Sequence, residues 1–179
     1  GVGLQDFDND GWKDLFAAQS HVLDNVEQIH SWLRYLEPPA LLRNASGRFE
    51  KAELAGLLPV AGRGAAFGDV NNDGYLDVVV SVLGGRPLVL FNRGRKNHWL
   101  TLKLVGGTSN RDGIGARVRV GKQWVYATTS GSYLSASDGR VHFGLGSVDK
   151  ATVEIVWPSG KRQVMENTAA DRIVMVKEI

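Results

Sequence analysis

The sequence predicts an all-β protein with one short helical insertion. Short segments rich in β-branched and aromatic residues recur along most of the 179 residues, and turn signals separate them. Glycine is frequent at 22 residues and proline rare at 5, a balance that suits tight turns between short strands. A third observation is an aspartate-rich segment that occurs twice. A chain of this length can build one good-sized core or two small ones.

The repeated segment reads DFDNDGWKDL at residues 6–15 and DVNNDGYLDV at residues 69–78. In register, the copies share Asp, Asp or Asn, Asn, Asp, Gly, an aromatic residue, Asp and an apolar residue. Each copy is followed by an apolar segment containing Asn and Arg, at residues 41–52 and 87–94. The chain therefore holds parts of two copies of one supersecondary unit.

An insertion separates the first aspartate segment from the strands that follow it. Five apolar residues recur at helical spacing, and Pro38 and Pro39 end the segment, so we expect one short amphipathic helix within residues 20–37. Asp24 and Glu27 fit a capping box at its start. The apolar positions are Val22, Val26, Ile29, Leu33 and Leu36. The strands predicted in the first half are 15–18, 41–44, 48–51, 76–83 and 88–91.

Beyond residue 95 the aspartate segments stop and strand signals follow one another to the end of the chain. Seven strands over so few residues predict a β-sandwich or a small barrel. We therefore place a first unit at residues 1–94 and a second at 95–179, joined by a basic linker at 92–97 that contains Arg93, Arg95 and Lys96. The seven predicted strands are 98–105, 116–120, 123–129, 140–146, 152–157, 162–166 and 172–178.

The aspartate segments have the spacing of a calcium loop. Calcium takes six to eight hard oxygen ligands and tolerates irregular geometry, and alternate side chains of a tight loop can turn inward to supply them. In the first loop the candidate ligands are Asp6, Asp8, Asp10, the backbone carbonyl of Trp12, and Asp14. In the second loop they are Asp69, Asn71, Asp73, the backbone carbonyl of Tyr75, and Asp77. The sequence thus predicts two Ca²⁺ sites.

These loops differ from an EF-hand. An EF-hand needs a Glu at position twelve and a helix on each side, whereas position twelve is Ala17 in one loop and Val80 in the other, and apolar strands follow. Magnesium is less favoured because it demands stricter octahedral geometry. The metal would have a structural role, since crowded carboxylates repel without a cation. A metal-free Asp-rich turn is the alternative interpretation, because Asp, Asn and Gly favour turns on their own.

Composition and motifs exclude several function classes. A net charge of +2 without a dense basic stripe argues against nucleic-acid binding. The absence of cysteine excludes disulfides and thiolate metal sites, and the four histidines show no zinc spacing. No apolar run reaches the ~18 residues of a membrane helix. The sequence has no G-x-S-x-G motif and no evident acid–base pair outside the loops, so we expect a protein that is not an enzyme.

Both halves resemble known families. The loops, with GRGAAFG at 62–68, resemble the FG-GAP or VCBS repeat, which forms calcium-bearing blades of integrin-type β-propellers. The segments 97–120, 130–146 and 153–163 resemble the UnbV/ASPIC domain that follows such repeats. The resemblance implies partial propeller blades, a C-terminal β-domain, and an extracellular or periplasmic location. A propeller has about four to eight blades, so we expect the remaining blades outside this chain and exposed blade edges that could associate.

The function expected from these features is a calcium-stabilised extracellular binding or adhesion module whose ligand is a protein or a glycan. The alternative is a non-catalytic part of a secreted polysaccharide-active enzyme, a lyase or hydrolase. Trp99, Trp124 and Trp157 could form a sugar-stacking platform or belong to the core. Asn44 begins a glycosylation sequon, Asn-Ala-Ser.

Overall fold

The computed structural model of the protein describes residues 1–54, 56–94 and 96–179. Across these residues the chain is almost entirely β-structure, which confirms the predicted class. No helix within them is long and apolar enough to cross a membrane. The elements are β1 Val2–Gln5, β2 Asp14–Ala17, α1 Val26–Ile29, β3 Ala40–Ala45, β4 Arg48–Ala52, β5 Gly62–Gly68, β6 Asp77–Val82, β7 Leu88–Leu90, β8 His98–Val105, β9 Arg117–Val120, β10 Gln123–Tyr126, β11 Val141–Gly146, β12 Lys150–Val156, β13 Arg162–Ala169 and β14 Arg172–Lys177.

The first half forms two antiparallel sheets in which consecutive strands are neighbours. One sheet has the order β1-β2-β3-β4 and the other β5-β6-β7, so the second copy of the unit has one strand fewer. A shared apolar core joins them, centred on Phe7, Phe16 and Phe67. Their rings meet edge to face with centroids 5.9–6.4 Å apart, a favourable arrangement for aromatic side chains.

The second half forms a sheet of order β10-β9-β12-β13 and another of order β11-β8-β14, in which β8 and β14 run parallel. One core combines apolar residues of both sheets, among them Leu102 on β8, Val118 on β9, Phe143 on β11 and Ile155 on β12. The arrangement is therefore sandwich-like, and the described residues form two open sheets rather than one closed barrel.

All seven strands expected in this half are present, but two strands of the first half were not predicted. β1 and β5 lie directly before the aspartate loops, and β5 has the sequence GRGAAFG, which is poor in β-branched residues. Its pairing with β6 through Gly68 and Asp77, Phe67 and Val78 decides its conformation instead. Arg95, at the predicted boundary between the two units, lies outside the described residues.

The helix predicted within residues 20–37 is much shorter than expected. Only Val26–Ile29 is helical, and Val26 alone of the apolar stripe is fully buried, whereas Val22 is 82% exposed. The capping box is wrong: Asn25 precedes the helix without a side-chain cap, and the Glu27 carboxylate accepts the backbone N–H of Tyr35 at 2.8 Å. A helix that buries only one apolar side chain lacks the packing that would extend it.

Candidate metal centres

The two aspartate loops connect neighbouring antiparallel strands, β1 to β2 and β5 to β6. Each turn passes through two residues of left-handed conformation. In the first loop these are Asn9 with φ 58° and Gly11 with φ 92°, and in the second Asn72 with φ 59° and Gly74 with φ 90°. Asn and Gly adopt this region at the lowest cost, so the shared Asn and Gly of the repeat fix the same backbone turn twice.

The first aspartate of each loop binds the backbone of the turn. Asp6 accepts the N–H of Asp10 at 3.1 Å and of Gly11 at 2.8 Å through its two carboxylate oxygens. Asp69 accepts the corresponding N–H groups of Asp73 at 3.1 Å and Gly74 at 2.9 Å. Each of these carboxylates is buried and closes its loop from the inside.

The last aspartate of each loop ties the turn to a neighbouring strand. Asp14 accepts the N–H of Phe7 at 3.1 Å and of Asn44 at 2.8 Å. In the second loop Asp77 accepts the N–H of Val70 at 3.0 Å and of Asn92 at 2.8 Å. Both carboxylates are 1–2% exposed, and the hydrogen bonds of Asp14 are buried, whereas those of Asp77 are partly buried.

Asn44 and Asn92 also contact the loops, and neither was predicted from the sequence as a site residue. Each side-chain amide also donates to the backbone of its loop, Asn44 to the Lys13 carbonyl at 3.1 Å and Asn92 to the Leu76 carbonyl at 3.3 Å. The signal was present, because an Asn follows both repeats in equivalent apolar segments. Asn44 is 8% exposed, its amide nitrogen donates to the Lys13 carbonyl, and its amide oxygen accepts the Gly47 N–H. The asparagine of the predicted sequon therefore has a structural role.

Three carboxylates of the first loop converge. Oxygen atoms of Asp6, Asp8 and Asp14 lie within 4.8 Å of one another, and all three residues are buried. Asp8 Oδ1 is buried with no hydrogen-bond partner among the described residues. An unsatisfied buried carboxylate oxygen beside two others is an all-oxygen donor set of the kind that calcium takes, so these residues fit the ion that the sequence predicts.

The pKa values of the first-loop aspartates also favour a bound cation. Burial raises the pKa of Asp6 to about 7, and the Asp10 and Asp8 carboxylates add to the rise, although the Gly11 N–H and Lys13 oppose it. Burial also raises the pKa of Asp14. Crowded carboxylates of this kind are poorly stabilised as anions by the protein alone, so a cation would favour their charged forms.

Arg43 on β3 supplies one cation to this cluster. Its Nε lies 2.5 Å from Asp8 Oδ2, and its guanidinium also reaches Asp10 Oδ2 at 3.4 Å. The Asp8 contact raises the pKa of Arg43. Arg43 engages one oxygen of Asp8 and leaves the other, the buried Oδ1, without a partner.

The second loop is more open. Asp69 and Asp77 are buried, but Asn71 and Asp73 are exposed, and the Asn71 amide donates to Asp73 Oδ2 at 2.8 Å. Within residues 1–54, 56–94 and 96–179, the acidic side chains of this loop do not form a cluster of three like that of the first. The structure thus brings three of the four first-loop carboxylates together. The ligand roles of all ten residues, Asn71 and the Trp12 and Tyr75 carbonyls included, stay predictions, and for Asp10 and Asp73 no such convergence is seen among the described residues.

A hydrogen-bonded chain links both loops to the C-terminal half. The Asn9 amide nitrogen donates to the Gly74 carbonyl at 3.0 Å, so its Oδ1 is the acceptor for His142 Nε2 at 2.7 Å. His142 Nδ1 then accepts from the Thr101 hydroxyl at 2.8 Å. Burial lowers the pKa of His142 to about 3, with Lys13 and Arg140 adding to the fall, so the imidazole is neutral at physiological pH.

The second loop has its own contact with the C-terminal half. Arg140 donates to the Asn72 side-chain oxygen at 2.7 Å and to the Asp69 carbonyl at 2.6 Å, while Asp138 holds its guanidinium at 2.5 Å. Opposite the first loop, β11 comes so close that a Cβ on Gly144 would overlap the Asp6 carboxylate and the Asn9 backbone. The C-terminal half therefore packs directly on both turns.

One blade edge that the sequence predicted to be exposed is covered. The Ser-rich turn after β10 runs along β5, where Ser135 accepts the Ala65 N–H at 2.8 Å and Ser137 accepts the Phe67 N–H at 3.2 Å. The Asp138 N–H donates back to the Phe67 carbonyl at 2.9 Å. The turn thus satisfies β5 backbone groups that would otherwise face solvent.

Of the two interpretations of the strand tryptophans, core residue or sugar platform, the core interpretation holds for two of the three. Trp99 is 8% exposed and Trp157 only 2%, so both belong to the interior, while Trp124 is 46% exposed. Trp99 packs against Gly74 of the second loop and lies parallel to the His142 ring, with centroids 6.2 Å apart. The sequence could not separate these roles because each tryptophan lies in or next to a strand.

Family comparisons match both halves of the chain. Residues 6–80 match the model of an FG-GAP-like repeat, and residues 106–179 match the ASPIC and UnbV model. The chain combines an FG-GAP-like repeat region with an ASPIC/UnbV domain. The repeat match contains both aspartate loops, and the ASPIC/UnbV match contains His142 and Arg140, which contact them.

Curated relatives cover most of this chain but exceed it in length. Human cartilage acidic protein 1 is 30% identical over 190 aligned residues, which cover 97% of this chain and 27% of the relative. The mouse protein of the same name is 33% identical over 66% of this chain and 19% of its own length. The Xenopus tropicalis protein is 33% identical over 56% of this chain and 17% of its own length. This chain thus spans about a quarter or less of each relative.

Proposed function

We propose that this chain is a calcium-stabilised extracellular binding module in which each aspartate loop holds one Ca²⁺. The observation that carries the proposal is the buried trio Asp6, Asp8 and Asp14, with an oxygen that no described residue satisfies. The second loop supports it because its first and last aspartates make the same backbone hydrogen bonds. The proposed ligands are Asp6, Asp8, Asp10, the Trp12 carbonyl and Asp14, and Asp69, Asn71, Asp73, the Tyr75 carbonyl and Asp77.

When bound, the ion would neutralise the crowded carboxylates. Hydrogen bonds of the chain itself connect the turns to their neighbours: Asp14 joins the first turn to β3, and Asp77 joins the second turn to Asn92 after β7. His142 and Arg140 then hold the turns against the ASPIC/UnbV domain. Calcium would thereby stabilise the hairpins and the contact between the two halves together.

The extracellular part of the proposal rests on the families and on calcium itself. Extracellular calcium modules bind in the range of about 10⁻⁴–10⁻³ M, and a loop of nine residues with partly exposed ligands suits that range. The relatives carry cartilage in their name, a tissue rich in extracellular matrix. We propose the same kind of location, extracellular or periplasmic, for this chain.

A binding role rather than catalysis is proposed because the candidate acid–base groups are engaged in structure. Asp6, Asp14, Asp69 and Asp77 each accept two backbone N–H groups. Both ring nitrogens of the buried His142 are hydrogen-bonded to Thr101 and Asn9. A general acid or base needs to reach a substrate, and these side chains are buried and directed at the backbone of the turns or at other buried side chains.

Calorimetry and thermal unfolding of the purified chain test the calcium claim. We expect two equivalents of Ca²⁺ to bind, and a stabilisation of about 2.7 kcal/mol per site when free calcium exceeds Kd about a hundredfold. Magnesium at the same concentration should stabilise much less. Absence of binding at millimolar calcium, with identical melting in calcium and in chelator, would refute the proposal.

A further inference from the structure

A groove lies between the first aspartate loop and the sheet β10-β9-β12-β13. We call it the Trp12–Trp124 groove; it is lined by Trp12, Arg119, Lys122, Gln123, Trp124 and Lys150, among others, and has a volume of about 910 Å³. That volume is at the upper end of the range for ligand sites, about 300–1,000 Å³. Both halves of the molecule contribute to it, so it is a surface that neither half has alone.

Two indoles in the groove are unusually exposed. Trp12 and Trp124 are each 46% exposed, whereas Trp99 and Trp157 are buried in the same protein. The guanidinium groups of Arg117 and Arg119 lie 4.7 and 5.4 Å from the Trp124 ring centroid. These cation–π contacts hold the indole in place and set positive charge beside an aromatic surface.

The charge that remains free in the groove is positive. Lys122 and Lys150 are exposed and form no ion pair with the described residues. Its acidic side chains are already engaged, Asp10 with Arg43 at 3.4 Å and Glu154 with Arg119 at 3.6 Å. A ligand that enters the groove therefore meets unpaired ammonium groups and no unpaired carboxylate of the lining.

We infer that the Trp12–Trp124 groove binds an anionic polysaccharide, with sugar rings against the two indoles and ring carboxylates or sulfates against Lys122 and Lys150. Sugar rings present flat C–H faces that pack on indoles, and their acidic groups recur along the chain, which matches aromatic and cationic groups placed side by side. An acidic peptide would use the lysines but has no regular use for two exposed indoles. This inference rests on the proposed function, whose ligand class it names.

The first loop connects this site to calcium. The Trp12 N–H donates to Asp10 Oδ1 at 2.9 Å, so one wall of the groove is part of the proposed calcium turn. Ordering of that turn would hold the Trp12 indole in its position on the groove. The inference therefore predicts that anionic glycan binds more tightly in calcium than in chelator.

Titration calorimetry of the full chain in about 2 mM calcium tests the site. The probes are an oligogalacturonate, a heparin oligosaccharide, a neutral oligosaccharide of equal length and a poly-glutamate peptide. We expect binding of one or both anionic glycans, weakened by salt, and at least about fivefold weaker binding of the neutral glycan and of the peptide. Which anionic glycan binds tells carboxylate from sulfate as the group recognised.

Matched variants locate the binding. Trp124→Ala, and separately Lys122→Glu with Lys150→Glu, should each weaken glycan binding about five- to tenfold. The controls are Trp32→Ala, a 74% exposed tryptophan of the insertion, and Lys51→Glu with Lys103→Glu, exposed lysines outside the groove. These controls should bind like the unmodified chain, and circular dichroism should show that every variant is folded.

Several results would overturn the inference. They are no binding of either anionic glycan, equal binding of the neutral glycan or the peptide, or groove variants that bind like the controls. Thermal unfolding of the same samples with and without calcium separates this failure from that of the proposed function. A chain that responds to calcium but binds no anionic glycan refutes the groove proposal alone, and a chain that lacks the calcium response refutes the calcium module.

Discussion

The first and second aspartate loops have nearly the same backbone conformation and the same backbone hydrogen bonds. Both pass through Asn and Gly residues with φ near 58° and 91°, and in both the first aspartate accepts two N–H groups of the turn. The last aspartate in each accepts the backbone N–H of an Asn at 2.8 Å, Asn44 in β3 for the first loop and Asn92 just after β7 for the second. The hydrogen bonds therefore repeat donor by donor between the copies.

Their electrostatics differ. The first loop has Asp8 where the second has Asn71, and it is approached by Arg43 where the equivalent residue of the second copy is Phe91. In the first loop the ring of carboxylates is mostly buried, whereas in the second Asn71 and Asp73 are exposed. The contacts with the C-terminal half differ too, since buried His142 touches the first loop and charged Arg140 the second.

The turn and the charge of such a loop are set by different residues. Residues that bond to the backbone, the first and last aspartates with Asn and Gly, define the turn and are shared. Residues that face the centre or flank it change the charge without changing the turn. Loss of a backbone-bonding aspartate should consequently destabilise both loops, more where the freed N–H groups are buried, whereas changes in charge or pH should affect the two loops differently.

The largest effect should follow loss of the last aspartate. Asp14→Ala leaves the buried N–H groups of Phe7 and Asn44 without an acceptor, so we expect it to lower the free energy of unfolding in chelator by about 3 kcal/mol. Asp77→Ala frees the N–H groups of Val70 and Asn92, which are only partly buried and can be hydrated, so its loss should be smaller, about 1–2 kcal/mol. Urea denaturation measures this, and calorimetry should show one calcium equivalent lost in each variant. Asp24→Ala, at an exposed aspartate of the insertion, is the control and should change neither.

No loss from either variant, or a larger loss from Asp77→Ala than from Asp14→Ala, would contradict the role given to the last aspartate. Loss of both calcium equivalents from a single variant would show instead that the loops bind as one unit. The Asn9 amide, which donates to the Gly74 carbonyl at 3.0 Å, is the contact through which such coupling would pass.

The next effect is pH dependence carried by His142. Burial lowers its pKa to about 3 from the usual 6.5, so the unfolded chain takes up a proton near pH 6.5 that the folded chain does not accept until about pH 3. The His142 contribution to stability is therefore lost as pH falls through this window, by about 2 kcal/mol between about pH 7 and 5. In chelator the raised pKa of Asp6 acts in the opposite direction, so the His142 contribution must be measured as a difference between variants. Urea denaturation of the wild type and His142→Gln in chelator, across this range, should show the stability of the wild type relative to the variant falling by about this amount as pH falls.

Arg140→Gln is the matched control for that experiment. Arg140 is charged throughout the range, so its loss should weaken the contact with the second loop without changing the pH slope. A pH dependence that His142→Gln leaves unchanged, or that Arg140→Gln changes in the same way as His142→Gln, would contradict the assignment. The two anchors would then not differ in the way that their burial indicates.

A smaller effect should come from Arg43. Arg43→Gln removes the cation beside Asp8, which is partly solvent-screened, so we expect a loss of ~1 kcal/mol of stability in chelator. Calcium affinity of the first loop should rise a few-fold, since the guanidinium no longer places a positive charge beside the Asp8 and Asp10 carboxylates. Calorimetry and urea denaturation measure the two effects. Arg48→Gln, whose guanidinium lies 3.9 Å from Glu50 at the exposed end of the neighbouring strand, should change neither.

The sequence predicted the part of this site that depends on spacing along the chain. The aspartates, the turn glycines and the strands that follow each loop could be read from the repeat, and all-β structure followed from strand signals. Contacts between distant residues could not be read. Asn44, Arg43 and His142 reach the first loop from 30 to 133 residues away, and no local pattern encodes those distances.

The insertion shows the reverse failure. Its apolar spacing favours a helix of several turns, yet only Val26–Ile29 is helical, because spacing describes one face of a helix and not whether a surface exists to cover it. Strand patterns likewise do not show which side chains are covered, as Trp99 and Trp124 illustrate. Both fit a strand pattern, but one packs on Gly74 and the other is nearly half exposed, and only the tertiary arrangement decides between them.

The smallest effect should come from making the loops alike at their third position. Asn71→Asp gives the second loop the carboxylate that Asp8 gives the first, and removes the amide that donates to Asp73 Oδ2 at 2.8 Å. In chelator the added charge should cost less than about 1 kcal/mol, because both side chains are exposed and screened. With calcium, one more charged ligand should raise the affinity of the second loop by up to about tenfold. Calorimetry at fixed ionic strength measures this, and Asn25→Asp, an exposed asparagine of the insertion, controls for net charge. An unchanged affinity would mean that position 71 does not face the ion, and that the two loops differ in geometry as well as in charge.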